Sequence, residues 1–426
     1  MREALRNRDF RLLLTGQFLS SLGDWLLVVA APFYVWQLTG SALATGLAIA
    51  AEMVPALLLG PVAGVFVDRW DHRAVMIAAD VLRAGATGLL LCVHSADQVW
   101  VIYVALALES SFSQFFLPAR QALIPALVGR GTALVSANSL GAFVSGTIRL
   151  VGAPLGGALY AVVGFGPVIG VDAGTYLASA ALIALVRHRT GRAGGAGRSG
   201  RTGPLSGGRT RPVPGGRGAL RRFGAEVTQG WAHVRTAPGF AATFGAAGLF
   251  FVGNSALTAL LVPFVSGVLH AGSRTLGLLL GGLGAGFVVG APLGRYVTAR
   301  VPLRRSLAGA FGALGVVFLL AFHAPDVVSA TVLFALIGPP AVCALVAIDT
   351  FIQRETADGI LGRVSAAYLT LQAAATLLGS LAGAALGQGW STDGTIDLAG
   401  ALVLAAAGCS FLIPTPERGQ APGPAH

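Results

Sequence analysis

The sequence predicts an all-α polytopic membrane protein, with twelve transmembrane helices in two pseudo-symmetric six-helix bundles. Three observations predict it. Only 11% of the 426 residues are charged, against roughly 25% in an ordinary soluble domain. Mean hydropathy is +0.74. A repeat that keeps its order also relates the two ends of the chain. A soluble protein this apolar would lack the polar surface to cover its core; in lipid that need disappears. The 60 glycines fit the same reading, because small residues let membrane helices approach closely.

A span needs about 20 predominantly apolar residues. Such stretches lie near 12–38, 43–66, 74–94, 99–117, 135–163, 166–186, 240–268, 274–297, 305–323, 327–350, 364–388 and 396–413. The first follows a basic start (Arg2, Arg6, Arg8, Arg11) and is of spanning length. It reads as an uncleaved helix, since a signal peptide has a shorter apolar region and a cleavage site.

Orientation follows from the arginines, which are the only strongly basic residues. With the N-terminus in the cytoplasm, all but Arg83, Arg149 and Arg274 fall in cytoplasmic segments, eleven of them between Arg187 and Arg235. That is the positive-inside pattern, and it places both termini in the cytoplasm. It also explains a net charge of +11 without a nucleic-acid partner. The expected organisation is a bundle over 1–186, a cytoplasmic Arg/Gly-rich linker over 187–238, a second bundle over 239–413 and a tail over 414–426. The linker has few large apolar side chains, so its middle is expected to be disordered. Its arginines can also rest on anionic membrane lipid.

The repeat pairs Phe10 with Phe240, Gly23-Asp24 with Gly253-Asn254, Pro32-Phe33 with Pro263-Phe264, and Gly40-Ser41 with Gly272-Ser273. Further on, Val135-Ser136-Ala137 matches Val364-Ser365-Ala366. Six spans per repeat is an even number, so the two halves share one orientation.

Three motifs carry a resemblance. The segment after the second span reads Gly64-Val-Phe-Val-Asp68-Arg69-Trp-Asp71-His72-Arg73. It resembles the signature loop of major facilitator transporters, Gly-x-x-x-Asp-Arg followed by basic residues, with Asp71 replacing the usual second Gly. The resemblance implies the major facilitator fold and a cytoplasmic gate. Gly64 would permit close helix approach. Asp68 would sit at the N-terminus of span eleven, near Arg363, where the helix dipole favours an anion. Arg69 and Arg73 would pair with acidic groups. Arg120, in Phe116-Leu-Pro118-Ala-Arg120-Gln-Ala, and the pair Asp80/Arg83, three apart on one helix face, are assigned to the same gate.

That stretch, together with Leu5-Arg6-Asn7-Arg8-Asp9-Phe10-Arg11 and Arg149-Leu-Val-Gly152-Ala-Pro154-Leu-Gly156-Gly157, is similar to the branch of bacterial exporters that includes macrolide-efflux and enterobactin-export proteins. The last stretch resembles the Gly-Pro-x-x-Gly-Gly motif of antiporters, with Ala153 before the proline. Pro154 would bend the span, and Gly152, Gly156 and Gly157 would pack it tightly. The resemblance implies export across the bacterial cytoplasmic membrane by a monomer.

Charges inside spans are costly and point to function. At 1.5 Å per residue, Asp24, Glu52, Glu109 and Arg149 each lie about 15–20 Å along their spans, near the midplane. All four belong to the first half. The expectation is that Arg149 pairs with Glu109 or Asp24 and that a carboxylate there takes up a proton. Burial favours a neutral carboxyl and a nearby guanidinium favours the charged one, so a moving arginine would switch proton affinity. Span four carries Glu109 instead of the basic residue that many drug antiporters have there. The second half offers Asn254 and Gln372 in place of charge, an apolar wall for a bulky amphipathic substrate. Asp172 and Asp349 receive no role.

The sequence thus predicts a secondary exporter of a small amphipathic compound, a drug, antibiotic or siderophore-like metabolite, driven by proton antiport with alternating access. A solute importer or facilitator and a membrane sensor are the alternatives. An ATP pump would need a Gly-rich Lys-Ser/Thr loop, and an enzyme a nucleophile–base or metal set; neither motif occurs. Cys92, Cys343 and Cys409 lie in separate apolar runs without metal-ligand spacing. No cofactor or metal is expected.

Overall fold

The computed structural model describes residues 5–67, 70–129, 131–187, 228–357 and 360–414. Twelve helices among them are long and apolar enough to cross a membrane. In the first half they are α1 (Arg8–Thr39), α2 (Ala42–Val67), α3 (His72–Gly88), α4 (Val99–Val128), α5 (Thr132–Val163) and α6 (Phe165–Ala184). In the second half they are α7 (Phe240–Pro263), α8 (Ser273–Arg300), α9 (Leu303–Phe322), α10 (Val327–Glu355), α11 (Leu361–Gly389) and α12 (Thr392–Ser410). The chain divides into two compact units, one holding 1–40 and 47–225, the other 41–46 and 226–426. The expected linker centre and the tail beyond Pro414 lie outside the described residues.

Local chemistry sets the helix ends. Asn7 caps α1, its side chain accepting from Phe10 N at 3.1 Å. Its amide also donates to the Leu127 carbonyl at 2.6 Å, near the end of α4. Asp9 accepts from the backbone amide of Arg187 at 3.2 Å, just past α6. The basic leader motif is therefore a clasp between three helix ends. Gly40 stops α1 in the left-handed region (φ 60°), its N–H returning to the Trp36 carbonyl at 2.7 Å, an end geometry that favours glycine.

Several spans differ from their hydropathy outlines, among them α3, which stops at Gly88, and α10, which runs to Glu355; α4 and α12 show the reasons. α4 continues to Val128 through Pro118 and Pro125, where the apolar run had suggested a stop before Pro118. A proline in a membrane helix forfeits one backbone bond, which neighbouring groups and local adjustment make up. α12 begins at Thr392 because Ser391 caps it, accepting from Gly394 N at 3.0 Å. A polar first turn such as Thr392-Asp393 is invisible to hydropathy.

Four helix pairings recur in the two units, while the close packing of α8 on α10 in the second has no equivalent between α2 and α4 in the first among the described residues. In the first, α1 packs on α5 and α6, and α3 on α4 and α6. In the second, α7 packs on α11 and α12, and α9 on α10 and α12. The repeated residues occupy equivalent places. Phe10 and Phe240 are both 1% exposed. Gly23 lies against Asp172 and Thr175 of α6, and Gly253 against Ala399 and Val403 of α12. In both cases a side chain would strike the facing helix.

The cores differ in kind. The first unit packs Leu13, Met76, Phe116, Leu123 and Ile183 together. The second is threaded by ring contacts, Phe240 with Phe244, Phe244 with Tyr368, Tyr368 with Phe251, and Phe250 with Phe311. Its glycine ladders are packing faces. A Cβ at Gly290 would lie 2.7 Å from Pro339 Cα of α10, and one at Gly383 would lie 2.6 Å from Ala256 Cα of α7. Outside, large apolar side chains such as Phe143, Val162, Val289 and Val328 are exposed. Apolar surface of that extent requires a lipid surround.

Candidate coupling site

The first unit encloses a guanidinium. Arg83, on α3, is 5% exposed. Its Nε donates to Glu109 Oε1 of α4 at 2.9 Å, and its Nη1 to Asp80 Oδ1 at 3.3 Å. Its Nη2 donates to Asp24 Oδ1 of α1 at 3.0 Å and to the Tyr176 hydroxyl of α6 at 3.1 Å. The guanidinium lies 4.1 Å from the Tyr176 ring centroid and 5.6 Å from that of Phe116, within range of cation–π attraction. Four helices thus converge on one side chain.

The acids outnumber it. Asp24, Asp80 and Glu109 all touch Arg83. Asp172, four residues before Tyr176 on α6, is fully buried, and neither of its oxygens has a hydrogen-bond partner among the described residues. The backbone carbonyl of Glu52, on α2, accepts from Ser110 Oγ of α4 at 2.6 Å. Ser113 Oγ donates to Glu109 Oε1 at 2.8 Å.

Tyr176 is the junction. Its hydroxyl bonds Asp24 Oδ1 closely and lies 3.1 Å from Glu109 Oε1. A phenol has one hydrogen to give, so it satisfies one carboxylate at a time. The other contact is a hydrogen bond only when the carboxyl itself carries the proton.

The sequence expectation paired Arg149 with Glu109 or Asp24. The arginine found between those two carboxylates is Arg83; the side chain of Arg149 lies outside the described residues. Arg83, expected at the gate beside Asp80, also meets Asp24 and Glu109. It sits eleven residues into α3, roughly 16 Å along the axis at the α-helical rise, a depth similar to that expected for Asp24 and Glu109. Tyr176 and Ser113 were not foreseen. The available signal was Asp172, Tyr176 and Ser179, a polar face recurring every three to four residues along an otherwise apolar span.

The remaining expected residues fall elsewhere. Arg73 binds the end of α6, Nε to the Ile183 carbonyl at 3.1 Å and Nη2 to the Ala184 carbonyl at 2.5 Å. Its partners among the described residues are helix-terminal carbonyls, which attract cations through unpaired acceptors and the dipole. Asp71 caps α3, accepting from Ala74 N at 2.9 Å. Asp68 and Arg69 lie outside the described residues, and Gly64 lies within α2. Arg120 lines a cavity of about 220 Å³ beside Gln17 and Asn138, and Arg363 stands in the first turn of α11. Gly152 and Gly156 press on α1 at Trp25 and Leu26, next to Asp24. Cβ atoms there would lie 2.6 Å from Trp25 Cβ and 2.9 Å from Leu26 Cα. Pro154 lies inside α5, and Gly157 is buried. Asn254 and Gln372 are half-buried on α7 and α11 of the second unit.

Twelve apolar helices in two repeated halves that share a core pattern of contacts, with charge concentrated inside one of them, define a multi-pass membrane transporter. The profile of the Major Facilitator Superfamily matches residues 13–380, and the chain belongs to that family. It is 32% identical over 172 residues to the uncharacterized MFS-type transporter YfiS of Bacillus subtilis, an alignment covering 40% of each protein. It is 29% identical over 174 residues to macrolide efflux protein A of Streptococcus pyogenes, covering 40% of this chain and 43% of that one. The multidrug efflux pump Tap of Mycolicibacterium fortuitum is 31% identical over 184 residues, covering 41% and 44%. These alignments thus span less than half of the relatives' length. The fold matches a bacterial homologue of the iron transporter ferroportin in an inward-facing state (TM-score 0.69, 18% identity, 95% of this chain and 98% of that one). It also matches a mutant of peptide transporter POT (TM-score 0.71, 11% identity, 94% and 93%).

Proposed function

We propose that this chain is a proton-coupled secondary exporter of a small amphipathic compound, a drug, antibiotic or siderophore-like metabolite. In this reading it works as a monomer by alternating access in a bacterial cytoplasmic membrane, with both termini in the cytoplasm. The observation that carries the reading is the Tyr176 hydroxyl between Asp24 and Glu109. The network holds one hydrogen too few for its contacts, and three carboxylates surround the Arg83 guanidinium. One proton supplies the missing donor and lowers the excess charge. Losing it returns Arg83 to a site of greater negative charge, so proton occupancy and the position of α3 relative to α1, α4 and α6 become linked. The efflux proteins among the relatives favour export of drug-like compounds. The arginine distribution favours the orientation.

The test is efflux of a chemically diverse compound panel from an efflux-deficient bacterial host, with and without a proton gradient. Wild type is compared with Asp24→Asn and Glu109→Gln at matched membrane expression. The expected result is gradient-dependent lowering of intracellular compound, lost in both variants. Gradient-independent equilibration, or full activity in both variants, would remove proton coupling at this site and favour a facilitator.

A further inference from the structure

A second polar site lies within the other unit. A cavity of about 530 Å³ opens where the end of α8, the start of α9 and the end of α10 meet. Arg300, Arg304 and Arg354 line it. Among the described residues Glu355 is its one acidic neighbour, and Phe351 and Ile413 form part of an apolar wall. The first turn of α9 faces the same space. No side chain caps it among the described residues, so its leading N–H groups lack intrahelical partners and favour an anion.

A separate observation points to a ligand. Ser306, in that first turn, is 5% exposed and lines the cavity, yet its hydroxyl has no hydrogen-bond partner among the described residues. A buried hydroxyl left unpaired is costly. Arg300 is partly engaged, donating to the Tyr296 hydroxyl at 2.6 Å, and Arg304 lies 5.3 Å from the Phe411 ring centroid. Arg354 adds a third positive charge at the end of α10.

We infer that this cavity binds a phosphate group, as inorganic phosphate or as the headgroup of an anionic phospholipid. The α9 amides and Ser306 Oγ would hold the oxyanion, and Arg304 and Arg354 would neutralise it. The apolar wall would accept an acyl chain. The ligand would join the ends of α8, α9 and α10, and so stabilise the second unit. The inference is independent of proton coupling.

The experiment uses the delipidated full-length protein in a neutral detergent and follows its thermal midpoint. One arm adds inorganic phosphate at ionic strength matched with chloride. The other adds mixed micelles of phosphatidylglycerol or of phosphatidylcholine alone. Stabilisation by phosphate identifies the free anion as sufficient; stabilisation by phosphatidylglycerol only identifies the lipid. The half-saturating concentration is expected to rise about tenfold in Arg304→Gln and in Arg354→Gln, as for loss of one charge-assisted hydrogen bond. Ser306→Ala should keep the ligand-free midpoint and still weaken binding, which guards against variants that merely misfold. The inference is overturned by equal responses to phosphate and chloride together with equal responses to the two lipids. It is also overturned by wild-type half-saturation in all three variants, or by a response that appears only after residues 415–426 are removed, since the tail would then be the occupant.

Discussion

Arg83 makes four polar contacts while almost wholly buried, and each of its partners comes with a different mutational consequence. Removing the guanidinium strands three carboxylates, and breaking a buried ionic network from one side costs roughly 3–5 kcal/mol. Arg83→Met is therefore expected to lower folded yield as well as transport. Tyr176→Phe is more discriminating. It keeps the ring that stacks on the guanidinium and removes only the hydroxyl shared by Asp24 and Glu109. The expected outcome is a fall of about tenfold in gradient-driven efflux, the order associated with one hydrogen bond to a charged group, with the thermal midpoint little changed. Everted vesicles report this directly, and undiminished coupled efflux would take the hydroxyl out of the proton path.

At the scale of helices, glycines mark where backbones touch. Gly290 of α8 lies against Pro339 of α10, leaving no room for a side chain, whereas a Cβ at Gly245 of α7 would meet nothing within 4 Å. Gly290→Leu is accordingly expected to destabilise by roughly 1–3 kcal/mol through overpacking. Gly245→Ala should be neutral or gain up to about 1 kcal/mol from helix propensity. Thermal denaturation of the two purified variants distinguishes them; equal midpoints would mean that α8 and α10 do not meet through this ladder. The antiporter-like stretch of α5 obeys the same logic. Gly152 and Gly156 bring α5 against the segment of α1 that carries Asp24, so their packing role also fixes where a site carboxylate stands.

For the molecule as a whole, the proposed orientation makes an accessible prediction. Cys92 is exposed in the turn that follows α3, opposite the start that this orientation puts in the cytoplasm, while Cys343 is buried. A membrane-impermeant thiol reagent should label intact cells, and Cys92→Ser should abolish that labelling. Labelling that requires permeabilised cells would invert the topology. The architecture was largely readable from sequence, because span length and the Gly23/Gly253 and Phe10/Phe240 correspondences are properties of single helices and their order. The site was readable in part. Asp24 and Glu109 stood out because charge at midplane depth is rare. The Asp80–Arg83 pair is legible because its members lie three apart on one helix, whereas the contacts of Arg83 with Asp24 and Glu109 depend on tertiary packing. Tyr176 was missed because a tyrosine in an apolar span carries no signature until the packing of α6 on α1 and α3 is known.

The clasp at the N-terminus has a consequence for synthesis. Asp9 is made 178 residues before the Arg187 amide that it accepts from. At roughly 5–20 residues per second that interval is about 10–40 s. Within that interval Asn7 can already meet Leu127, while the Asp9 half of the clasp waits for its partner. Arg187 precedes every helix of the second bundle in the chain, so the clasp can close before that bundle is complete.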